Sequence, residues 1–328
     1  MKLWLRNALV YLATGYVLFF ASERLFWSTF RPGDHAGDFA VTWLAYSVLA
    51  CVFLNVVSRL RATTTATVFL AGALYGWMTE GVLVGTLYGT EGSAPFPMSL
   101  VWTGLSWHAL ISVLVCWHFL GRALRKPAPW TALAWAVGVG LYWGAWAPFL
   151  WHETPPQVAT IHAFAIHATG CTLLWMLSYA ILLRLSPDGF SPGLPGLGLS
   201  LLVLAVFYVA QVKALGLRPL LVLPALTGLI LGLLVWSRRH QPGTADPNDG
   251  TDPTVARPVR GLPLLTLLAT PVAAVALYSL QKTLHLNGIA PIHFFNAGGI
   301  LSVGILGWAM YCAFRAPSRP NPSDPLVR

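Results

Sequence analysis

The sequence predicts an all-α integral membrane protein, a polytopic bundle of about ten transmembrane helices with both termini cytoplasmic. Three observations predict the fold class. Hydrophobic residues make up 56% of the chain and charged residues only 9%, whereas a soluble domain carries about 25% charged residues. The apolar residues gather in runs close to the ~20 residues a spanning helix needs. No stretch alternates with period two for long enough to build a barrel, so the spans are read as helices.

In chain order the runs are 4–22, 39–58, 65–88, 98–121, 129–150, 158–184, 197–216, 219–237, 263–284 and 291–314. The first follows Lys2 and Arg6 and resembles a signal peptide. No convincing small-x-small cleavage site closes it, so we read it as an uncleaved span. The third, fourth and sixth carry ionisable residues in their interiors. Only Leu217 and Arg218 separate the seventh from the eighth. Residues 1–239 hold spans one to eight, and 240–261 form a cytoplasmic linker rich in Pro, Asp and Gly. Spans nine and ten, in 262–315, are expected to pack on the same bundle, and 316–328 read as a disordered cytoplasmic tail.

Orientation follows from the basic residues. With the N-terminus inside, the inner segments hold fifteen of the twenty Lys and Arg, the asymmetry of a cytoplasmic side. The formal charge of +9 is spread in small groups between apolar runs, so it speaks for topology and not for nucleic acid. Cys51, Cys116, Cys171 and Cys312 lie inside apolar segments without metal-finger spacing and read as small buried hydrophobes. Short loops with abundant Ala, Leu and Gly suggest a bacterial inner (cytoplasmic) membrane.

Small residues four apart allow close helix approach. Gly72 and Gly76 form one such row in the third span, Gly81, Gly85 and Gly89 a neighbouring one; Gly140 with Gly144, and Gly228 with Gly232, repeat the spacing. Pro148, Pro224 and Pro271 are expected to kink their helices. Leu74-Tyr75-Gly76-Trp77 and Leu141-Tyr142-Trp143-Gly144 hint at a duplicated hairpin, although chance similarity explains this more simply.

Three residues stand out as candidates for chemistry. Glu80 lies inside the third span, about 12 Å below its outer end, and His108 and His167 lie about 13–15 Å deep in the fourth and sixth. A charge at such depth costs about 2.5–3.5 kcal/mol on insertion scales, so it is normally paired or functional. A carboxylate beside an imidazole is the minimum set for proton exchange and a partial metal site. The plain alternative is that each group satisfies a neighbour within the bundle. His162 and His167 fall about 140° apart on their helix, a poor ligand pair. His152-Glu153 reads as a solvated turn before Thr154-Pro155-Pro156. Ionisable groups outside the cytoplasmic loops converge on the outer level, which suggests an outward-facing Glu/His cavity.

No Walker A sequence, dinucleotide fingerprint or nucleophile elbow is present, which argues against a nucleotide partner. Too few ligands at firm spacing are visible to name a metal or cofactor. The expected partners are the lipid bilayer and a lipid-like or small-molecule substrate. The leading expectation is a membrane-embedded enzyme acting on a lipid or lipid-linked substrate at the outer leaflet, with Glu80 as acid or base and His108 and His167 as proton carriers or ligands. The alternatives are a proton-coupled secondary transporter and a non-catalytic accessory or assembly subunit.

Overall fold

The structure is a computed structural model describing residues 1–30, 34–90, 94–152, 156, 158–185, 192–240, 261–284, 286 and 291–315. Every regular element among these residues is helical. The linker core 241–260, the tail 316–328, and Arg31, Glu91, Glu153 and His285 lie outside the described residues.

Ten long helices follow the ten apolar runs: α1 (Leu3–Glu23), α2 (Ala36–Arg59), α3 (Thr65–Val84), α4 (Ser99–Arg125), α5 (Trp130–Trp146), α6 (Ile161–Leu185), α7 (Leu194–Leu215), α8 (Leu217–His240), α9 (Gly261–Thr283) and α10 (Pro291–Phe314). Among the described residues, nine of them are long and apolar enough to cross a membrane, and α5 is the exception. Its α-helical part has 17 residues. At Pro148, which has no N–H to give, the chain tightens into a 3₁₀ segment, Ala147–His152. The architecture is therefore that of a multi-pass membrane bundle.

Helices α1, α3 and α4 form the centre. α1 packs against α2, α4 and α6, and α3 packs against α4, α8 and α10. Residues Val17–Ala21 of α1 are completely buried, although this is the segment nearest the N-terminus. By contrast α7, α8 and α10 leave large apolar side chains such as Leu202, Val206, Leu221 and Ile300 exposed, the surface a bilayer would cover.

Glycine decides how closely the central helices approach. A Cβ at Gly76 would strike the carbonyl oxygen of Gly104, and one at Gly72 would press on Val113 and the backbone of Ala109. The α3–α4 seam is thus a backbone-to-backbone contact. Gly140 and Gly144 do the same for α5 against α9, where Thr270 donates to the Ala136 carbonyl at 3.0 Å and Gln281 to the Gly144 carbonyl at 2.8 Å. The other two glycine rows behave differently. Gly228 and Gly232 face open space. Gly85 (φ 86°) and Gly89 (φ 70°) adopt left-handed backbone, so they end the helix instead of lining its face.

That helix end shortens the third span: it stops at Val84, where the sequence runs it to 88. Thr86–Tyr88 folds back as a 3₁₀ turn. Tyr88 donates to the Gly81 carbonyl at 2.8 Å, and Arg218 donates to the Tyr88 carbonyl at 2.7 Å. The α7–α8 corner, with its break at Gly216, so braces the turn. The hinted duplication of two hairpins is not repeated in the packing, since α3 pairs with α4 whereas the principal partner of α5 is α9.

Candidate functional site

Glu80 lies four residues before the end of α3, about 6 Å from it. Its segment, Thr79–Val84, is wound with i→i+5 hydrogen bonds. The same wide winding runs through Gly104–Leu120 of α4, where the His108 N–H donates to the Thr103 carbonyl at 2.9 Å. Such π-helical winding is rare and frequent at functional sites, and both Glu80 and His108 lie within it.

These two residues meet. Glu80 Oε1 is 2.6 Å from His108 Nε2, and both side chains are buried. Thr86, on the back-folded turn, donates to the other carboxylate oxygen. An ionised Glu80 can only accept, so beside a neutral His108 it is held from two sides by Thr86 and by the Nε2–H tautomer. That tautomer leaves His108 Nδ1 as an acceptor. Ser22 Oγ lies 2.9 Å from it, and Ser112 Oγ lies 2.8 Å from Ser22 Oγ. The result is a hydrogen-bonded chain, Thr86–Glu80–His108–Ser22–Ser112, drawn from α1, α3 and α4 and the turn after α3.

The local sequence explains the chain. Gly76 and Gly104 bring α3 and α4 close enough for a glutamate one turn beyond Gly76 to reach His108. Ser112 follows His108 by four residues, about one turn, so both face α1. Aromatic rings enclose the imidazole: Tyr75 meets it edge-on with centroids 5.8 Å apart, and Tyr46 lies at 6.4 Å. The Tyr46 hydroxyl donates to Glu23 Oε1 at 2.7 Å. A second carboxylate therefore stands at the same end of the bundle.

His167 does not join this chain. Its ring lies against Phe30 (4.9 Å) and Trp143 (6.1 Å), and Cys171 Sγ is 3.9 Å from its Nε2. It belongs to the contact of α6 with α1, where Tyr16 donates to the Cys171 carbonyl at 3.1 Å. Among the described residues no group of three or more His, Cys, Asp or Glu is placed to hold a metal ion. Of the three candidates, the structure joins Glu80 and His108 and sets His167 on another flank of α1. Glu153 and the side chain of His152 lie outside the described residues. A cavity of about 370 Å³ lined by Leu60, Val235, Arg238 and Arg239 lies at the opposite end of α3 from Glu80.

Sequence reasoning missed Ser22, Thr86 and Ser112. The pair His108 and Ser112, one turn apart in an apolar run, is the one signal that pointed to a polar stripe on α4. Comparison with protein-family models, with curated proteins and with solved structures finds no match to this chain.

Proposed function

We propose that this chain is a membrane-embedded enzyme whose acid–base centre is Glu80–His108–Ser22, acting on a lipid or lipid-linked substrate at the outer leaflet. The observation that carries the reading is the imidazole held between a carboxylate at 2.6 Å and a hydroxyl at 2.9 Å. That order of groups is the one that activates a hydroxyl. The imidazole takes the hydroxyl proton, and the carboxylate fixes the tautomer and stabilises the imidazolium that forms. In this chain His108 Nδ1 would accept the proton of Ser22, or of a substrate hydroxyl seated beside it. Glu80 would balance the positive ring, and Ser112 would donate to the oxygen left behind.

The packing favours this over coupled transport. A transporter must rock one group of helices against another about its ion site. The α3–α4 seam that carries Glu80 and His108 is a glycine backbone contact, closed at its end by the braced 85–90 turn. Such a seam suits a preorganised site better than a sliding one. The reading takes α5 as a tenth span and places both termini in the cytoplasm of a bacterial inner membrane. The positive-inside asymmetry then puts the Glu80 end outside.

The test is comparative lipid analysis of cells carrying wild type, Glu80→Gln, His108→Gln or Ser22→Ala, with folding checked by thermal melt. The expected result is accumulation of one and the same lipid or lipid-linked species in all three variants. Lipid profiles identical to wild type in well-folded variants would overturn the proposal. Substrate-dependent proton flux in proteoliposomes, lost in Glu80→Gln, would turn the reading to transport.

A further inference from the structure

On the other flank of α1 a cation has no ion-pair partner among the described residues. Arg24 follows α1 in the 3₁₀ turn Arg24–Phe26 and is only 8% exposed. Its guanidinium carbon sits 5.1 Å from the ring centroid of Phe19, 5.6 Å from Phe39 and 5.9 Å from Phe30. Ring faces attract the charge. They do not supply the oxygen acceptors that a planar fork of five N–H donors is shaped to meet. Arg24 Nε is buried with no hydrogen-bond partner, and Arg24 makes no ion pair among the described residues. The neighbouring carboxylate, Glu23, is engaged by Tyr46 at 2.7 Å.

His167 is the second orphan. Its Nδ1 is buried with no partner among the described residues, and its ring shares Phe30 with Arg24, meeting that ring nearly perpendicular at 4.9 Å. Phe30 is 48% exposed, so the wall common to both groups is also the one that reaches the surface. Two unsatisfied nitrogens therefore stand behind one aromatic ring at the end of α1.

We infer that Arg24 and His167 form an oxyanion site that takes a phosphoryl group, with Phe19, Phe30 and Phe39 as its walls. A phosphoryl group offers several oxygens to a guanidinium fork and can accept from an imidazole N–H at the same time. The group has two possible sources, a phospholipid headgroup or free phosphate. The site shares no side chain with Glu80–His108–Ser22, so it stands or falls apart from the acid–base proposal.

The experiment uses the full chain, purified in detergent and stripped of lipid. It is offered phosphatidylglycerol, inorganic phosphate, or a diacylglycerol that has the tails without the phosphate. Binding is read by native mass spectrometry and by the shift in melting temperature, for wild type, Arg24→Gln and Phe30→Leu. The expected result is a tightest phosphatidylglycerol site weakened at least about tenfold in Arg24→Gln and severalfold in Phe30→Leu, with no comparable site for the diacylglycerol. Stabilisation of wild type but not Arg24→Gln by inorganic phosphate alone would identify a soluble source and still support the site. Equal phosphatidylglycerol affinity in wild type and Arg24→Gln, or equal affinity for the diacylglycerol, would overturn it. Should Arg24→Gln not fold, Phe30→Leu decides: unchanged affinity there sinks the proposal.

Discussion

His108 and His167 occupy different flanks of α1 near one end of the bundle, and their surroundings differ in kind. His108 has a partner on each ring nitrogen, Glu80 at 2.6 Å and Ser22 at 2.9 Å. His167 has an aromatic wall, a sulfur at 3.9 Å and a buried Nδ1 with no partner among the described residues. One is a closed unit within the protein, and the other shares its aromatic wall with a buried arginine that has no ion pair among the described residues. The difference teaches that two buried imidazoles near one end of a bundle can serve unrelated ends. An intramembrane polar group is explained by its partners and not by its level.

Substitution separates the two regions most strongly. His108→Ala removes the centre of the chain and strands a buried carboxylate. Breaking a buried pair in this way costs about 3–5 kcal/mol. His167→Ala removes ring contacts and one weak contact to Cys171 Sγ and is expected to cost about 1–2 kcal/mol. Reversible denaturation in detergent checks the ranking, and equal losses would erase the distinction. Next in size is the seam that lets Glu80 reach His108. Gly76→Ala forces a methyl group into the Gly104 carbonyl and is expected to destabilise by about 1–3 kcal/mol or more, with loss of the Glu80–His108 contact. Gly232→Ala enters open space and should stay within about 1 kcal/mol of wild type. A similar cost at both sites would show that α3 and α4 do not pack as described.

The turn behind Glu80 gives a smaller effect. Gly85 holds φ 86°, and an Ala there carries left-handed strain of about 1–2 kcal/mol. Its Cβ would also crowd Gln211 Oε1 at 2.6 Å. Melting temperature of Gly85→Ala against wild type is the check, and no change would mean that the turn does not brace the site. The smallest effect belongs to Ser112→Ala, which removes one interhelical hydrogen bond. Such bonds average about 0.6 kcal/mol in membrane bundles. A loss of several kcal/mol would make Ser112 a structural keystone and not the end of a relay.

Much of the fold was legible because hydropathy reports position along the membrane normal. The ten apolar runs and the ten long helices correspond, and Glu80 and His108 stood out because charge is costly in such runs. Rotation about the helix axis was less legible. His167 was expected at the depth of His108 but lies against other neighbours, and hydropathy carries no azimuth. Gly85 and Gly89 continued the glycine spacing of α3 in sequence, yet a left-handed φ at Gly85 turns the chain back. Sequence spacing cannot tell a packing glycine from one that ends a helix. Ser22 and Ser112 were hidden for a simpler reason. Hydroxyl side chains commonly bond a carbonyl within their own helix, as Ser47 does with Trp43 at 2.8 Å. Only the structure shows which ones reach across.

A double-mutant cycle tests most directly whether Glu80 and His108 act as one unit across α3 and α4. Unfolding free energies of wild type, Glu80→Gln, His108→Gln and the double variant would be measured in one detergent. A bonded pair at 2.6 Å predicts a coupling energy of about 1.5 kcal/mol or more, with the double variant losing little beyond either single one. Losses that add to within about 0.5 kcal/mol would mean the two residues are independent, and the proposed acid–base centre would have no basis.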